Sequence, residues 1–189
     1  CYLQGIAATV RAGRFDISGF YSNHKRDANI HTTDSVTGHV IDVTSFTQTS
    51  YHRLPKELEN KNVIQEVILG GNLNYRNNLM SIGITAFRSH WNSNLSPKVY
   101  PHNQFTFRGM KNLNLGLDFQ FLYRDASVFG EIGRSLNGGI AWICGILAAP
   151  DPAVTFSVIY RDYKRNYQNL LSNAVGQNSE NANERGFLL

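Results

Sequence analysis

At 189 residues, with 42% hydrophobic and 17% charged content, the chain can hold one sizeable domain with its own core, and disorder is excluded as a default. Nine Tyr, 11 Phe, 2 Trp and 16 Gly against 5 Pro favour strands over a helical bundle. No apolar run approaches the roughly 20 residues of a membrane helix; this removes helical membrane proteins but not β-barrels, whose alternating faces average to a soluble-looking hydropathy. The formal charge of +4 comes from 18 Lys and Arg scattered among 14 acids, with no block of one sign, so no direct nucleic-acid contact is expected of this chain.

Cys1 and Cys144 form neither a metal-ligand spacing nor a Cys-x-x-Cys motif. A lipoprotein-type acylated Cys1 has poor company in Tyr2 and Leu3, and a start inside a longer protein is the blander reading. From there Ile6, Ala8 and Val10 oppose Thr9 and Arg11. Gly13 and Arg14 mark a short connection, after which Phe15, Ile17, Gly19 and Tyr21 alternate with Asp16, Ser18, Phe20 and Ser22. Lys25 to Asn62 reads as a long polar connection. Within it LPKELENKNVIQE predicts a short helix, with Pro55 in its first turn and Glu57 and Glu59 near its positive end.

Next, Val67, Leu69, Gly71, Leu73 and Tyr75 share one face, against Glu66, Gly70, Asn72, Asn74 and Arg76 with Ile68. Asn77 and Asn78 make a tight turn. Met80, Ile82, Ile84 and Ala86 then oppose Ser81, Gly83, Thr85, Phe87 and Ser89, which completes a hairpin. After a second long polar connection, Asn92 to Gly109, the clearest pattern follows. Leu113, Leu115, Leu117, Phe119, Phe121 and Tyr123 fall on one parity and Asn112, Asn114, Gly116, Asp118, Gln120 and Arg124 on the other, interrupted only by Leu122.

Asp125 and Ala126 turn the chain tightly. Val128, Gly130 and Ile132 then oppose Ser127, Phe129, Glu131 and Gly133, and Asn137 to Gly139 is a further turn. Ile140 to Ala149 is apolar on both parities, which suits a strand whose second face is covered by a plug or by facing lumen side chains; a short buried helix competes. On this segment Cys144 reads as an inert packed thiol. Last, Val154, Phe156, Val158 and Tyr160 alternate with Thr155, Ser157, Ile159, Arg161, Tyr163 and Arg165, a run long enough to project beyond a bilayer.

A soluble strand is usually about 5–6 residues, whereas a tilted bilayer-spanning strand needs about 9–11. Length therefore favours the membrane, as does the alternation of tight turns with long polar connections. The expected fold is all-β: an antiparallel up-and-down meander of about eight long strands spanning 1–189, forming a complete or partial transmembrane-type β-barrel. On this parity Leu113, Leu115, Leu117, Phe119, Phe121, Val154, Phe156 and Val158 face lipid. Arg11, Asp16, Glu66, Arg76, Asp118, Arg124, Glu131, Arg161 and Arg165 form a charge network in the lumen. Mixed signs point to a filled, salt-bridged interior rather than to an ion-selective pore.

No nucleophile elbow, P-loop or dinucleotide fingerprint occurs. The six histidines lack ligand spacing and read as structural or surface residues. No enzymatic activity, metal or cofactor is expected.

The segments SYHRLPKELENKN (50–62), GGNLNYR (70–76), PHNQFTFRG (101–109), FGEIGRSLNGG (129–139), YRDYKRNYQNLLSNA (160–174) and NANERG (181–186) resemble a group of Bacteroidota β-barrel proteins. In that group a large outer-membrane barrel often follows an N-terminal helix-hairpin-helix module like that of competence DNA receptors. The resemblance spans nearly the whole chain. It implies an internal barrel fragment of a bacterial outer-membrane protein, with any link to DNA uptake lying in a module absent here. It carries over no catalytic or ligand residue. The final NERGFLL enters a new apolar segment without completing a strand, which agrees with a fragment completed by further strands. Two functional readings follow. One is an outer-membrane barrel acting as anchor, plugged conduit or transport component in the lipid bilayer. The other is a soluble antiparallel barrel or sandwich that binds an apolar ligand.

Overall fold

The computed structural model describes residues 3–47, 52–151, 153–172, 175–176 and 182–189. Its elements are β1 (Gly5–Ala12), β2 (Phe15–Arg26), β3 (Ala28–Thr33), β4 (Val40–Phe46), α1 (Pro55–Glu59), β5 (Ile64–Arg76), β6 (Met80–Leu95), β7 (Gly109–Tyr123), β8 (Ala126–Ser135), β9 (Ile140–Asp151), β10 (Val154–Tyr163) and β11 (Glu184–Leu188). The expected all-β meander is present: one sheet in the order β1-β2-β5-β6-β7-β8-β9-β10-β11, antiparallel along that path. The path does not close, since no β1–β11 pairing occurs among the described residues. Cys1 lies outside the described residues.

The eight long strands expected are β1, β2 and β5 to β10, and three more join them. Part of the connection read as loop from Lys25 is strand. β2 runs on to Arg26, and β3 and β4 form a hairpin whose second strand pairs in parallel with β6 (Asp42↔Asn94, Val43↔Leu95). Three register shifts between β3 and β4 break the strict period of two, which is why alternation did not reveal them. β6 continues to Leu95, into the connection read as loop from Asn92, and β10 stops at Tyr163, leaving Arg165 in the following turn. The end of the chain supplies β11, paired with β10.

The turns follow their residues. Gly13 (φ 62°) and Gly138 (φ 81°) take the left-handed backbone that their connections require. At Asn77 the side-chain Oδ1 accepts from the Leu79 and Met80 N–H groups, both at 2.8 Å, closing the β5–β6 turn. Glu57 Oε2 accepts from Arg53 N–H (2.8 Å) and Leu54 N–H (3.2 Å), satisfying donors at the start of α1. Those backbone N–H groups hold the Glu57 carboxyl below its usual range.

The chain packs as two compact units, Cys1–Ala7 with Phe20–Leu69 and Arg88–Asn112, and Ala8–Gly19 with Gly70–Phe87 and Leu113–Leu189. The first has a conventional core of Ala28, Val43, Ile64, Trp91, Leu95 and Phe107. Trp91 is its centre, with ring centroids 5.6 Å from Phe46 and 5.4 Å from Phe107. The second unit is built the other way round, as its side chains show.

Candidate lipid-facing surface

Opposed residues of an antiparallel pair share a face, so the β7 to β11 register sorts side chains into transverse rows. One row is Phe121, Val128, Ile146 and Val158; the next is Phe119, Gly130, Cys144, Tyr160 and Phe187; a third is Leu117, Ile132, Trp142, Asp162 and Arg185. The first two rows hold no charge, and the third ends in an ion pair. There Arg185 donates to Asp162 Oδ2 at 2.6 and 3.0 Å, with Lys164 Nζ at 3.2 Å. Trp142, Tyr160 and Phe187 form a contiguous aromatic run, with centroids 5.1 and 4.7 Å apart.

This apolar face is exposed. Leu115, Leu117, Phe119, Phe121, Val154, Phe156 and Val158, seven of the eight residues expected on it, are open to the surroundings, and Leu113 is half-buried. In the same unit Val10, Phe15, Ile17, Leu73, Ile82 and Ile84 of the expected apolar parities are exposed as well. On the opposite parity of β7, Asn112 and Asn114 are buried, Gly116 and Asp118 half-buried and Gln120 exposed.

The charges expected to form one network fall into separate groups. Arg11 Nε meets Asp16 Oδ1 at 2.6 Å, and these two with Arg76 line one cleft. Asp118 and Glu131 stand directly opposite each other, and the row continues through Ile143 to Arg161. The Asp118 carboxylate covers Gly83, where a Cβ would stand 2.4 Å from Oδ1. Arg161 pairs with Glu184, an acid that the parity argument did not include. Arg124 takes the left-handed backbone (φ 50°) just after β7, with its guanidinium 5.5 Å from the Tyr123 ring centroid, so it caps a hairpin instead of lining the polar face.

Glu66 lies elsewhere, in the first unit. It is fully buried between Ile64 and Ile68 on β5. Arg26 Nη1 donates to Oε1 at 3.0 Å, and so does the Trp91 indole N–H at 2.9 Å. His24 Nε2 stands 3.1 Å from Oε2, but off the hydrogen-bonding direction, leaving Oε2 without a donor among the described residues. Arg26 also stacks over Phe46, 4.3 Å from its centroid. His24 and Arg26 continue the parity of Asp16, Ser18 and Ser22; following β2 four residues further would have found both.

The segment after β10 lies over the polar face of β8 and β9. The Tyr167 hydroxyl stands 2.6 Å from where a Cβ on Gly133 would be, and Gln168 N–H donates to Ser135 Oγ at 3.2 Å. Asn137 Nδ2 donates to Asn166 O at 2.7 Å, and burial pushes the Tyr167 phenol up. The segment reaches only the Gly139 end of β9's second face; further along, Gly145 is covered by Phe129 and Ile159, and Leu147 is exposed. Cys144 is half-buried on the apolar face.

Among the described residues no group of three or more His, Cys, Asp or Glu could hold a metal ion, and no helix is long and apolar enough to cross a membrane. Comparison of the chain with protein-family models, with curated proteins and with solved structures finds no match.

Proposed function

We propose that the chain forms strands of an integral β-barrel of a bacterial outer membrane, non-enzymatic, acting as anchor, plugged conduit or transport component. The observation that carries this reading is the exposed, charge-free stretch of the apolar face beside a more buried polar parity. Along β7 itself the apolar parity runs ten residue steps, Leu113 to Tyr123, about 34 Å at about 3.4 Å each. Across the sheet the charge-free part begins at the Phe119 row, bounded by Arg134 opposite Leu115 and by the Asp162–Arg185 pair at the end of the Leu117 row. The inward-folded segment around Tyr167 supports a plugged lumen over an open pore. In the first unit, the conventional core suits a part of the protein that stands in water.

The two tryptophans provide the test, since Trp142 sits on the exposed face and Trp91 in the closed core. In vesicles of acyl-brominated phosphatidylcholine, a Trp91→Phe protein should lose its remaining fluorescence to quenching, and a Trp142→Phe protein should not. Unquenched Trp142, together with a monodisperse protein in detergent-free buffer, overturns the membrane reading. That outcome favours a soluble sheet holding an apolar ligand in the groove of about 280 Å³ lined by Leu117, Phe119, Ile132, Trp142 and Cys144.

A further inference from the structure

The tips of the β1–β2 and β5–β6 hairpins carry a feature that the membrane reading does not use. Arg11, Arg14 and Arg76 surround a shallow polar cleft of about 230 Å³ that contains a single carboxylate, Asp16. Three guanidiniums against one acid leave a local excess of two positive charges. Asp16 engages Arg11 through both oxygens, at 2.6 and 3.3 Å. Arg14 Nη1 makes only a long contact to the Tyr75 hydroxyl, at 3.4 Å. The Arg76 guanidinium has no hydrogen bond or ion pair among the described residues. Backbone pairing fixes the two tips together, since Arg76 N–H donates to Arg14 O at 2.8 Å. The main chains of Arg14 and Arg76 are thereby held together, and both residues line the cleft with Arg11, the Arg76 charge also acting on Asp16. Guanidinium forks around one cleft suit phosphate oxygens.

The position of the cleft names the ligand's source. Phe15 and Tyr75, 5.2 Å apart, lie beside it where the apolar strands end, the level at which aromatic girdles meet headgroups. Tight turns of such barrels face the periplasm, so the adjoining leaflet is the phospholipid one.

We propose that the Arg14–Arg76 cleft binds a phosphate group, presented by an anionic phospholipid headgroup. The lipid assignment rests on the membrane reading above; the phosphate chemistry does not. The test is native mass spectrometry of the protein released from detergent micelles doped with equal phosphatidylglycerol and phosphatidylcholine, paired with calorimetric titration of the same preparation with inorganic phosphate. The wild type should retain phosphatidylglycerol with about a tenfold preference. R14Q/R76Q should lose that preference while keeping heat-modifiable gel migration, which shows that it still folds, and R124Q at another hairpin tip should keep it. Saturable binding of inorganic phosphate that R14Q/R76Q removes, without lipid preference, assigns the cleft to free phosphate and overturns the lipid source. Absence of both overturns the site. Because the titration needs no bilayer, it reads the cleft even if Trp142 proves shielded from lipid.

Discussion

The Phe119 ring fills the space that a side chain on Gly130 would need. The two residues are directly opposed across β7 and β8, and a Cβ on Gly130 would stand 2.7 Å from Phe119 Cε1. The same device recurs on the other face, where Phe129 covers Gly145 with Cζ 2.6 Å from the corresponding position. An aromatic laid over a cross-strand glycine restores the packing that the missing side chain forfeits. Gly130→Ala should turn the partly exposed Phe119 ring away and press on Ile143 O, 3.1 Å from the Cβ position, costing about 1 kcal/mol, the low end for overpacking. Gly19→Ala is the reference, because a Cβ there meets nothing within 4 Å. Urea unfolding of both variants in the same detergent checks this, and coincident midpoints would reject the ring-over-glycine account.

Adjacent residues on β7 offer the sharpest test of which parity meets lipid. Leu117 is exposed in a row with Ile132 and Trp142, whereas Asp118 lies on the polar face against Gly83 and opposite Glu131. Leu117→Arg should weaken insertion by roughly 2–4 kcal/mol if it lies near the bilayer midplane. Asp118→Asn should be tolerated, since it removes one of two directly opposed like charges. A vesicle-assembly assay in which both variants insert as well as the wild type would invert or abolish the assigned faces.

Removing the Glu66 carboxylate would leave the Arg26 charge half-enclosed with its principal acceptor gone and the Trp91 N–H buried without a partner. Breaking one side of a buried ion pair costs about 3–5 kcal/mol. Glu66→Ala should therefore melt the first unit selectively, seen as lost protection of Ile64, Trp91 and Leu95 amides in hydrogen exchange. Glu66→Gln keeps an acceptor oxygen for Trp91 and should fall between. Protection unchanged in the alanine variant would show that the cluster contributes nothing net.

The strands of the second unit were legible in the sequence because they are long, and on β7 one parity stays apolar and the other almost wholly polar for about a dozen residues. Leu113 to Tyr123 needed no structure to be sorted. In the first unit that signal fades, because Ile64, Glu66 and Ile68 share one buried face and polarity no longer marks direction. The β3–β4 hairpin was hidden by its register shifts and by Asn, His and Thr side chains that fit strand or loop equally. Pairing of charges depends on which strands are neighbours. Arg161 with Glu184 and Arg26 with Glu66 could be assigned only once the β10–β11 and β2–β5 adjacencies were known. The arginine cleft is of the same kind, made by two turns some sixty residues apart in the chain.

Between β2 and β3, Asp27 joins three connections. Its Oδ1 accepts from Asn62 N–H and its Oδ2 lies against His52 Nε2, both at 2.8 Å, while its carbonyl accepts from Thr47 N–H at 2.9 Å. Burial alone would push the carboxyl up, but the Asn62 and His52 hydrogen bonds outweigh it and hold the group below its ordinary value. A carboxylate whose folded pKa is depressed stabilises the fold fully above its unfolded value of about 3.9. That contribution is lost as pH falls through the lower folded value. Acid titration of the first unit's tertiary signal should therefore show a destabilisation below about pH 4 that is smaller in Asp27→Asn. Identical acid profiles for the two proteins would remove Asp27 from the linkage.

The segment that covers the polar face of β8 and β9 is seated on glycines. At Gly139 a Cβ would stand 2.2 Å from Asn166 O and 2.6 Å from Tyr167 Cα, backbone atoms that cannot swing aside as a side chain can. Gly133 instead meets the far end of Tyr167, with the hydroxyl at 2.6 Å. Gly139→Ala should therefore lift the whole segment and break the Asn137–Asn166 and Gln168–Ser135 hydrogen bonds together, whereas Gly133→Ala should only turn the phenol. Protease cleavage between Lys164 and Leu171 should quicken in Gly139→Ala and stay near the wild-type rate in Gly133→Ala. If the segment plugs a lumen, Gly139→Ala should also raise conductance in planar bilayers. Faster cleavage without a change in conductance would keep the packing argument and discard the plug.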